Sequence, residues 1–364
     1  MDEPNRPETP AKPTFGKQQI IGAILTLIIL VYVFAVVLPQ FGDYDQAWTA
    51  IQNMTALQLG LIILATIANI FIYVLPYPAA LEALRYGAAF AVRQTSFMIS
   101  NVIPMGGAFG LAVQYGMLQT YGVGPAPSAA TIGITGIWNT FITLTLPVLA
   151  LLGLFIIGAG TVEAVGVTLI ALAAVVISIV VFALILRKES TARRIGDWAT
   201  GVVKWAAGLI KKDVDVDLGE AVVQFRDSIV DVVIARWLLI TAANLGQQLA
   251  QFSILYLAIV ALQGSFVDPI NPAEALAAFS FGRLATFIPI PPGGLGTTDA
   301  IITGILTGFG MNANDALAAD MVWRAATYFP QVFIGAGSFV SWRRTMAKRS
   351  ETIAPSAGDA PRDP

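Results

Sequence analysis

Polar and apolar positions along this chain separate into long blocks instead of alternating. Apolar blocks fill 19–41, 57–77, 127–154, 161–186, 237–263 and 313–342. Each reaches the roughly 20 residues that a helix needs to cross a bilayer. The first is too long for a signal-peptide core and has no small-residue cleavage site after it, so it reads as an uncleaved span. Two further apolar stretches, 88–122 and 273–310, are interrupted by Pro and Gly: IPMGGAFG at 103–110 and IPIPPGGLG at 288–296. Each predicts two helical arms around a break. The second arm is only about a dozen residues, too short to cross alone, so both stretches are expected to be re-entrant hairpins. Lipid cannot satisfy the backbone groups exposed at such breaks, which therefore belong inside protein or along a wet cavity.

The two breaks are related. Ile103-Pro104 and Ile288-Pro289 lie 185 positions apart, and so do Trp138-Asn139 and Trp323-Arg324. A shared offset at two separated landmarks predicts a duplicated unit. Basic residues orient it. Lys and Arg occur in the N-terminal tail, after the second span, nine times in 187–236 and again in the C-terminal tail. Segments 42–56, 155–160 and 264–272 have none. Six spans with two non-crossing hairpins put every basic segment, and both termini, on the cytoplasmic side. The copies are then inverted, the arrangement in which transporters bind at the repeat interface. The expected organisation is a disordered tail 1–17, a first repeat 18–154, a second repeat 155–345 and a disordered tail 346–364. The fold class is all-α polytopic membrane protein.

The 187–236 connector is the one sizeable polar region between spans. Within it Ile195, Trp198, Val202, Trp205 and Leu209 fall at helical spacing among Arg193, Arg194, Lys204, Lys211 and Lys212. That pattern fits a helix lying on the inner leaflet and equally a linker helix packed on its own protein.

Composition narrows the chemistry. Of 364 residues 56% are hydrophobic and 12% charged, with no Cys and no His. Thiol catalysis, disulfides, haem ligation, ordinary zinc sites and His proton relays are excluded. No cofactor or metal is expected, and no basic surface points to nucleic acid.

Few groups remain. Asp299 falls just after Gly296-Thr297-Thr298, at the start of a half-helix, and Arg324 lies well inside the last span. Each charge near the bilayer centre costs about 2.5–3.5 kcal/mol, so the two are expected to face inward and to meet. As a pair they serve either as a structural pin or as an anion site in which Arg324 holds substrate and exchanges with Asp299. The turn PPGGLGTT, with Gly293, Gly294, Gly296, Thr297 and Thr298, reads either as a capped tight turn or as a phosphate cradle at a helix N-terminus. Arg283 lies on the arm leading into that turn. At the shared offset, Gln114 stands opposite Asp299 and Asn139 opposite Arg324. Asn244, Gln247, Gln248 and Gln251 form a polar run on the fifth span, of a kind that glues helices together or lines a pathway. Asp299 is the leading proton-linked group.

PPGGLGTTDA followed by VWRAATYFP resembles the signature of the lysylphosphatidylglycerol synthase/flippase transmembrane family, a P-GGLG-E pattern and then an Arg on the last helix. Gly293, Gly294, Leu295 and Gly296 match the turn, Arg324 matches the Arg, and Asp299 stands where the family usually has Glu. The Asn101-Val102-Ile103-Pro104 segment resembles the first hairpin, with sparser polar residues after it. The resemblance covers roughly 18–345. It implies movement of phospholipids, in the best-known members aminoacylated ones, between leaflets. Those members also carry a soluble aminoacyl-transfer domain, for which the sequence leaves no room after Arg344, so a stand-alone, non-enzymatic flippase of the cell membrane is expected. The substrate is expected to be a phospholipid with an anionic or aminoacylated head group. The expected protein partner is a second copy of the chain or a lipid-modifying enzyme. Two other readings stand: a membrane-embedded head-group transferase using Asp299 and Asp320, and a non-transporting partner subunit.

Overall fold

The computed structural model describes residues 43–103, 106–158, 162–209, 217–263, 270–287 and 294–353. The expected first span, the N-terminal tail, Gly293 and the segment 264–269 lie outside them. Among the described residues every regular element is a helix. They run α1 (Tyr44–Gln52), α2 (Ala56–Ile72), α3 (Pro76–Ala80), α4 (Tyr86–Val102), α5 (Gly106–Thr120) and α6 (Pro125–Ile156). Then follow α7 (Val162–Arg187), α8 (Glu189–Leu209), α9 (Leu218–Leu262), α10 (Pro272–Leu284) with a 3-10 turn Ala285–Phe287, α11 (Thr297–Gly308) and α12 (Ala313–Ile353).

Local chemistry fixes the helix starts. Thr55 caps α2: its Oγ1 accepts from Gln58 N at 3.3 Å while Gln58 Oε1 accepts from Thr55 N at 2.7 Å. Asn271 and Glu274 do the same for α10, where Pro272 occupies the first turn. Asp43 caps α1, a short helix in a segment that the apolar pattern leaves as loop. It packs on the start of α12 through Ala47, Leu317 and Ala318.

Three helices are long and apolar enough to cross a membrane by length and composition: Ala56–Ala80, Pro125–Ile156 and Leu218–Leu262. Their apolar side chains are not all turned inward. Leu57, Ile63, Leu64, Ile67 and Phe71 of the first, and Ile234, Trp237 and Leu238 of the third, are exposed. In a helix bundle this outward apolar surface is what lipid solvates.

Four arms make two hairpins, α4 with α5 and α10 with α11, and each pair is in contact. The hairpins are interlocked. The first arm of the first hairpin packs on α12, in the second half of the chain; the first arm of the second hairpin packs on α6, in the first half. The second arms, α5 and α11, pack on the long helices of their own halves, α6 and α12. Both crossings are made through a glycine. A Cβ at Gly335 of α12 would sit 2.3 Å from Gln94 O of α4, and one at Gly153 of α6 would sit 3.0 Å from the Ala273 Cβ of α10. Small residues at such points let helix backbones approach within a membrane.

Two elements are longer than the apolar pattern predicts. The second part of the 187–236 connector is continuous with the fifth span, giving α9 its 45 residues. At 1.5 Å per residue that is about 67 Å, over twice the ~30 Å hydrocarbon core, so one end projects beyond it. Likewise α12 runs on to Ile353, into the segment expected to be a disordered tail. The projecting part of α9 is paired with α8. Gly196 packs against Leu218 and Gly219, and Thr200 Oγ1 accepts from Leu218 N at 2.9 Å. The face of α8 that packs inward is therefore Ala192, Gly196 and Thr200, while Trp198 is 72% exposed and Val202 is exposed as well. Of the two readings of this helix, self-packing uses its small residues and leaves the apolar stripe free. The side chains of Trp205 and Leu209 lie outside the described residues.

Candidate functional site

Residues flanking the turns of the two hairpins, Asn101 and Asp299, meet one turn of α12. From the second hairpin, Asp299 meets Arg324: Arg324 Nε donates to Asp299 Oδ1 at 2.8 Å and Nη2 to the same oxygen at 2.5 Å. From the first hairpin, the Asn101 carbonyl accepts from the Tyr328 hydroxyl, one helical turn beyond Arg324. Arg324 is eleven residues from the start of α12, about 16 Å along its axis and so about half the depth of a hydrocarbon core.

The helix start at α11 is built around Asp299. Gly294 and Gly296 have φ of +67° and +84°, a region that residues with a Cβ rarely adopt. The turn they make aims Gly296 N at Asp299 Oδ2, at 2.5 Å. One anion at this helix N-terminus is therefore the protein's own carboxylate. Thr297 Oγ1 donates back to the Gly294 carbonyl at 3.2 Å. Thr298 is buried, with its hydroxyl unpartnered. Asp299 is only 2% exposed and has both oxygens engaged. Asp320, one turn before Arg324 and within electrostatic range of Asp299, is buried and keeps Oδ1 free.

Gln114 stands elsewhere. It is buried in the first hairpin, where its amide oxygen accepts from the Tyr77 hydroxyl and its amide nitrogen donates to Ser96 Oγ. The equal offset of 185 fails here because the two turns differ in length. Residues 103–105 separate the arms of the first hairpin, whereas 288–296 follow the 3-10 turn of the second. Asp299 is the third residue of α11, and the third residue of α5 is Ala108, so Asp299 has no polar counterpart. The Trp offset holds better. Trp138 Nε1 donates to Thr241 Oγ1 and Trp323 Nε1 to the Gln251 carbonyl, both on α9. Asn139 Oδ1 accepts from Gln248 Nε2 at 3.0 Å, which makes it part of the helix-joining polar run.

Two further arginines lie on the first arms of the hairpins. Arg283 of α10 is within electrostatic range of Arg324 and Tyr73, and its Nε is buried without a partner. Arg93 of α4 stacks over the Tyr73 ring at 4.3 Å and the Tyr77 ring at 5.0 Å, and donates to Gln247 Oε1 at 3.1 Å. Aromatic contacts run on from Tyr73 to Phe97 and from Phe97 to Tyr328. The sequence reading counts Arg93 only as a cytoplasmic flank. Its position inside the 88–122 stretch is the signal that marks it as interior.

Long apolar helices around a core of buried charge define a polytopic membrane protein. The family model for the lysylphosphatidylglycerol synthase TM region matches residues 19–335, and the chain belongs to that family. Membership ties the protein to lipid-related work in the membrane. No individually curated protein matches the chain.

Proposed function

We propose that this protein is a flippase: it moves a phospholipid or lipid-linked head group between leaflets through the space between two re-entrant hairpins. The observation that carries the reading is that both hairpins reach one turn of α12, through Asp299 on Arg324 and Asn101 on Tyr328. Two features support the re-entrant character. The arms have 17, 15, 13 and 12 residues; at 1.5 Å per residue all fall short of about 30 Å. Each hairpin also grips the long helix of the opposite half, so rocking one half against the other moves both tips together. The head-group phosphate contacts Arg324, which exchanges between Asp299 and the lipid, while the acyl tails stay in the bilayer. The basic segments favour a cell-membrane orientation with both termini inside. The protein itself does no covalent chemistry in this reading, and Asp320 is the carboxyl available to couple a proton.

The test is reconstitution into liposomes with fluorescent phospholipids of differing head groups, followed by quenching from outside. Head-group-dependent loss of the protected fraction is expected. Movement no faster than in protein-free liposomes would sink the proposal. A head-group transferase is the second reading, favoured by the neighbouring buried carboxyls Asp299 and Asp320. It predicts a new lipid species on expression, lost in Asp320→Asn.

A further inference from the structure

Away from the hairpin turns, the second half of α12 carries a groove made of two adjoining cavities. One, of about 620 Å³, is lined among the described residues by Ala336, Gly337, Val340, Ser341, Arg344 and Thr345. The other, of about 410 Å³, shares Gly337, Ser341 and Thr345 and reaches Ala91 of α4, Tyr121 just after α5, and Trp342. The groove therefore borders both arms of the first hairpin. Its wall is held there by Trp342, whose Nε1 donates to Thr120 Oγ1 at 2.8 Å.

The lining changes character along the helix. Ala336, Gly337 and Val340 are apolar or small; Ser341, Arg344 and Thr345 are polar, with Thr345 Oγ1 donating back to the Ser341 carbonyl at 3.0 Å. Twelve residues separate Arg324 from Ala336 and twenty separate it from Arg344, about 18 and 30 Å at 1.5 Å per residue. With Arg324 at half depth, the apolar end lies at the edge of the ~30 Å hydrocarbon core and the polar end beyond it. Side chains on a helix lean toward its N-terminus, which carries the Arg344 guanidinium back into the head-group layer. Among the described residues no acid lines either cavity, and Arg344 is in none of the ion pairs. Its neighbour Arg343 is turned to another face, with its guanidinium 5.8 Å from the centre of the Phe339 ring.

We infer that this groove is a docking site for a phospholipid of the cytoplasmic leaflet with a net negative head group. Arg344 holds the phosphate, the Ser341 hydroxyl donates to it, and an acyl chain lies over Ala336 and Gly337, where small side chains leave room. A soluble anion has no use for the apolar end, and an uncharged lipid has none for the unpaired guanidinium; an anionic phospholipid matches both, in the order the membrane presents them. The inference rests on the proposed orientation for the choice of leaflet. The flippase reading adds only the next step, passage of the docked lipid along the first hairpin.

The test is thermal unfolding of the purified, delipidated full chain in uncharged detergent. Short-chain phosphatidylglycerol is titrated in, with short-chain phosphatidylcholine as comparison. Phosphatidylglycerol is expected to raise Tm at the lower concentration. Arg344→Gln should require about tenfold more of it for the same shift, and Arg343→Gln should keep the wild-type midpoint. Gly337→Leu puts a side chain into open space and removes no charge. Without lipid it should unfold at the wild-type temperature or above; with lipid its midpoint should move as that of Arg344→Gln does. The Asp299→Asn/Arg324→Gln double variant separates this response from lipid held at the hairpins: the shift, and its dependence on Arg344, should persist there. Unchanged midpoints in Arg344→Gln and Gly337→Leu overturn the inference. So do equal losses in Arg343→Gln and Arg344→Gln, which would mean diffuse basic attraction, and an equal shift with inorganic phosphate, which would mean a soluble anion. An Arg344-dependent shift without lipid movement in liposomes leaves this site standing and removes the flippase reading. Lipid movement with unchanged midpoints in the variants does the reverse.

Discussion

The two hairpins share a plan and differ in charge. In the first, the arms are drawn together by Gly106 and Gly110, whose missing side chains admit the Ile99 carbonyl and the Ser100 hydroxyl. Between its arms the polar contacts are neutral: Gln114 accepts from Tyr77 and donates to Ser96. In the second, the break is longer and ends in two positive-φ glycines, and its interior polar group is a carboxylate bound to an arginine of α12. The duplicated architecture supplies the broken helices and the reciprocal grip on the long helices. The buried carboxylate has been placed on one side only. A buried charge needs its own partners at every contact, and only the longer turn wraps a backbone N–H and a guanidinium around one carboxylate. The first hairpin contributes instead a tip that holds Tyr328 and an arm that presents Arg93.

The widest difference to test between the hairpins is their orientation, an all-or-none outcome. Because the chain has no native Cys, single Cys replacements report by reaction with an impermeant reagent. Ala47 is buried and unsuited to this, whereas Thr49 and Asn312 are exposed. Thr49→Cys and Asn312→Cys, on the open side of the second hairpin, should label from outside. Gly124→Cys, beyond the first hairpin, and Lys204→Cys should not. Labelling of both hairpin flanks from the same side would end the inverted arrangement.

Next in size is the interior polar group of each hairpin. Asp299→Asn or Arg324→Gln strands the other charge, and each should reduce stability by about 3–5 kcal/mol. The double variant should recover most of it. In the first hairpin Gln114→Leu removes the acceptor of the buried Tyr77 hydroxyl and a donor to Ser96, a smaller loss of about 1–3 kcal/mol. Folded yield and Tm of the four proteins rank these effects. If the double variant is no better than the singles, Asp299 and Arg324 are not energetic partners.

The smallest contrast lies in the turn glycines. Gly294→Ala must adopt φ near +67° with its Cβ 2.6 Å from Thr298 Oγ1, at a cost of about 1–2 kcal/mol for the backbone alone. Gly107, at the start of α5, has open space where a Cβ would go. Gly107→Ala should be neutral or stabilising by up to about 1 kcal/mol. Equal melting temperatures for the two variants would mean that the second turn is not held as described.

Much of the site could be read from residue order, because membrane burial makes polar residues conspicuous. Asp299 and Arg324 stand out from apolar runs, and their meeting is required once both must avoid lipid. The broken arms follow from Pro and Gly within such runs. Arg93 was visible as a letter but not as an interior group, since a basic residue near the end of one apolar block and the start of the next fits a cytoplasmic flank equally well. Gln114 was misaligned because an offset between two landmarks carries no information about the turn lengths between them.

The sequence by itself determined the helical class, the two breaks and the pairing of Asp299 with Arg324, because hydrocarbon penalises exposed backbone and lone charges at every position alike. Tertiary structure decided what depends on contacts between distant segments. It passes each hairpin across to the other half through Gly335 and Gly153. It sets the Asp299 carboxylate on Gly296 N at the α11 N-terminus. It turns the small face of α8 inward and leaves Trp198 free. It also leaves the Nε of Arg93 and of Arg283 buried without a hydrogen-bond partner. Those outcomes follow from packing and from turn length, and neither is written in the periodicity of any one helix.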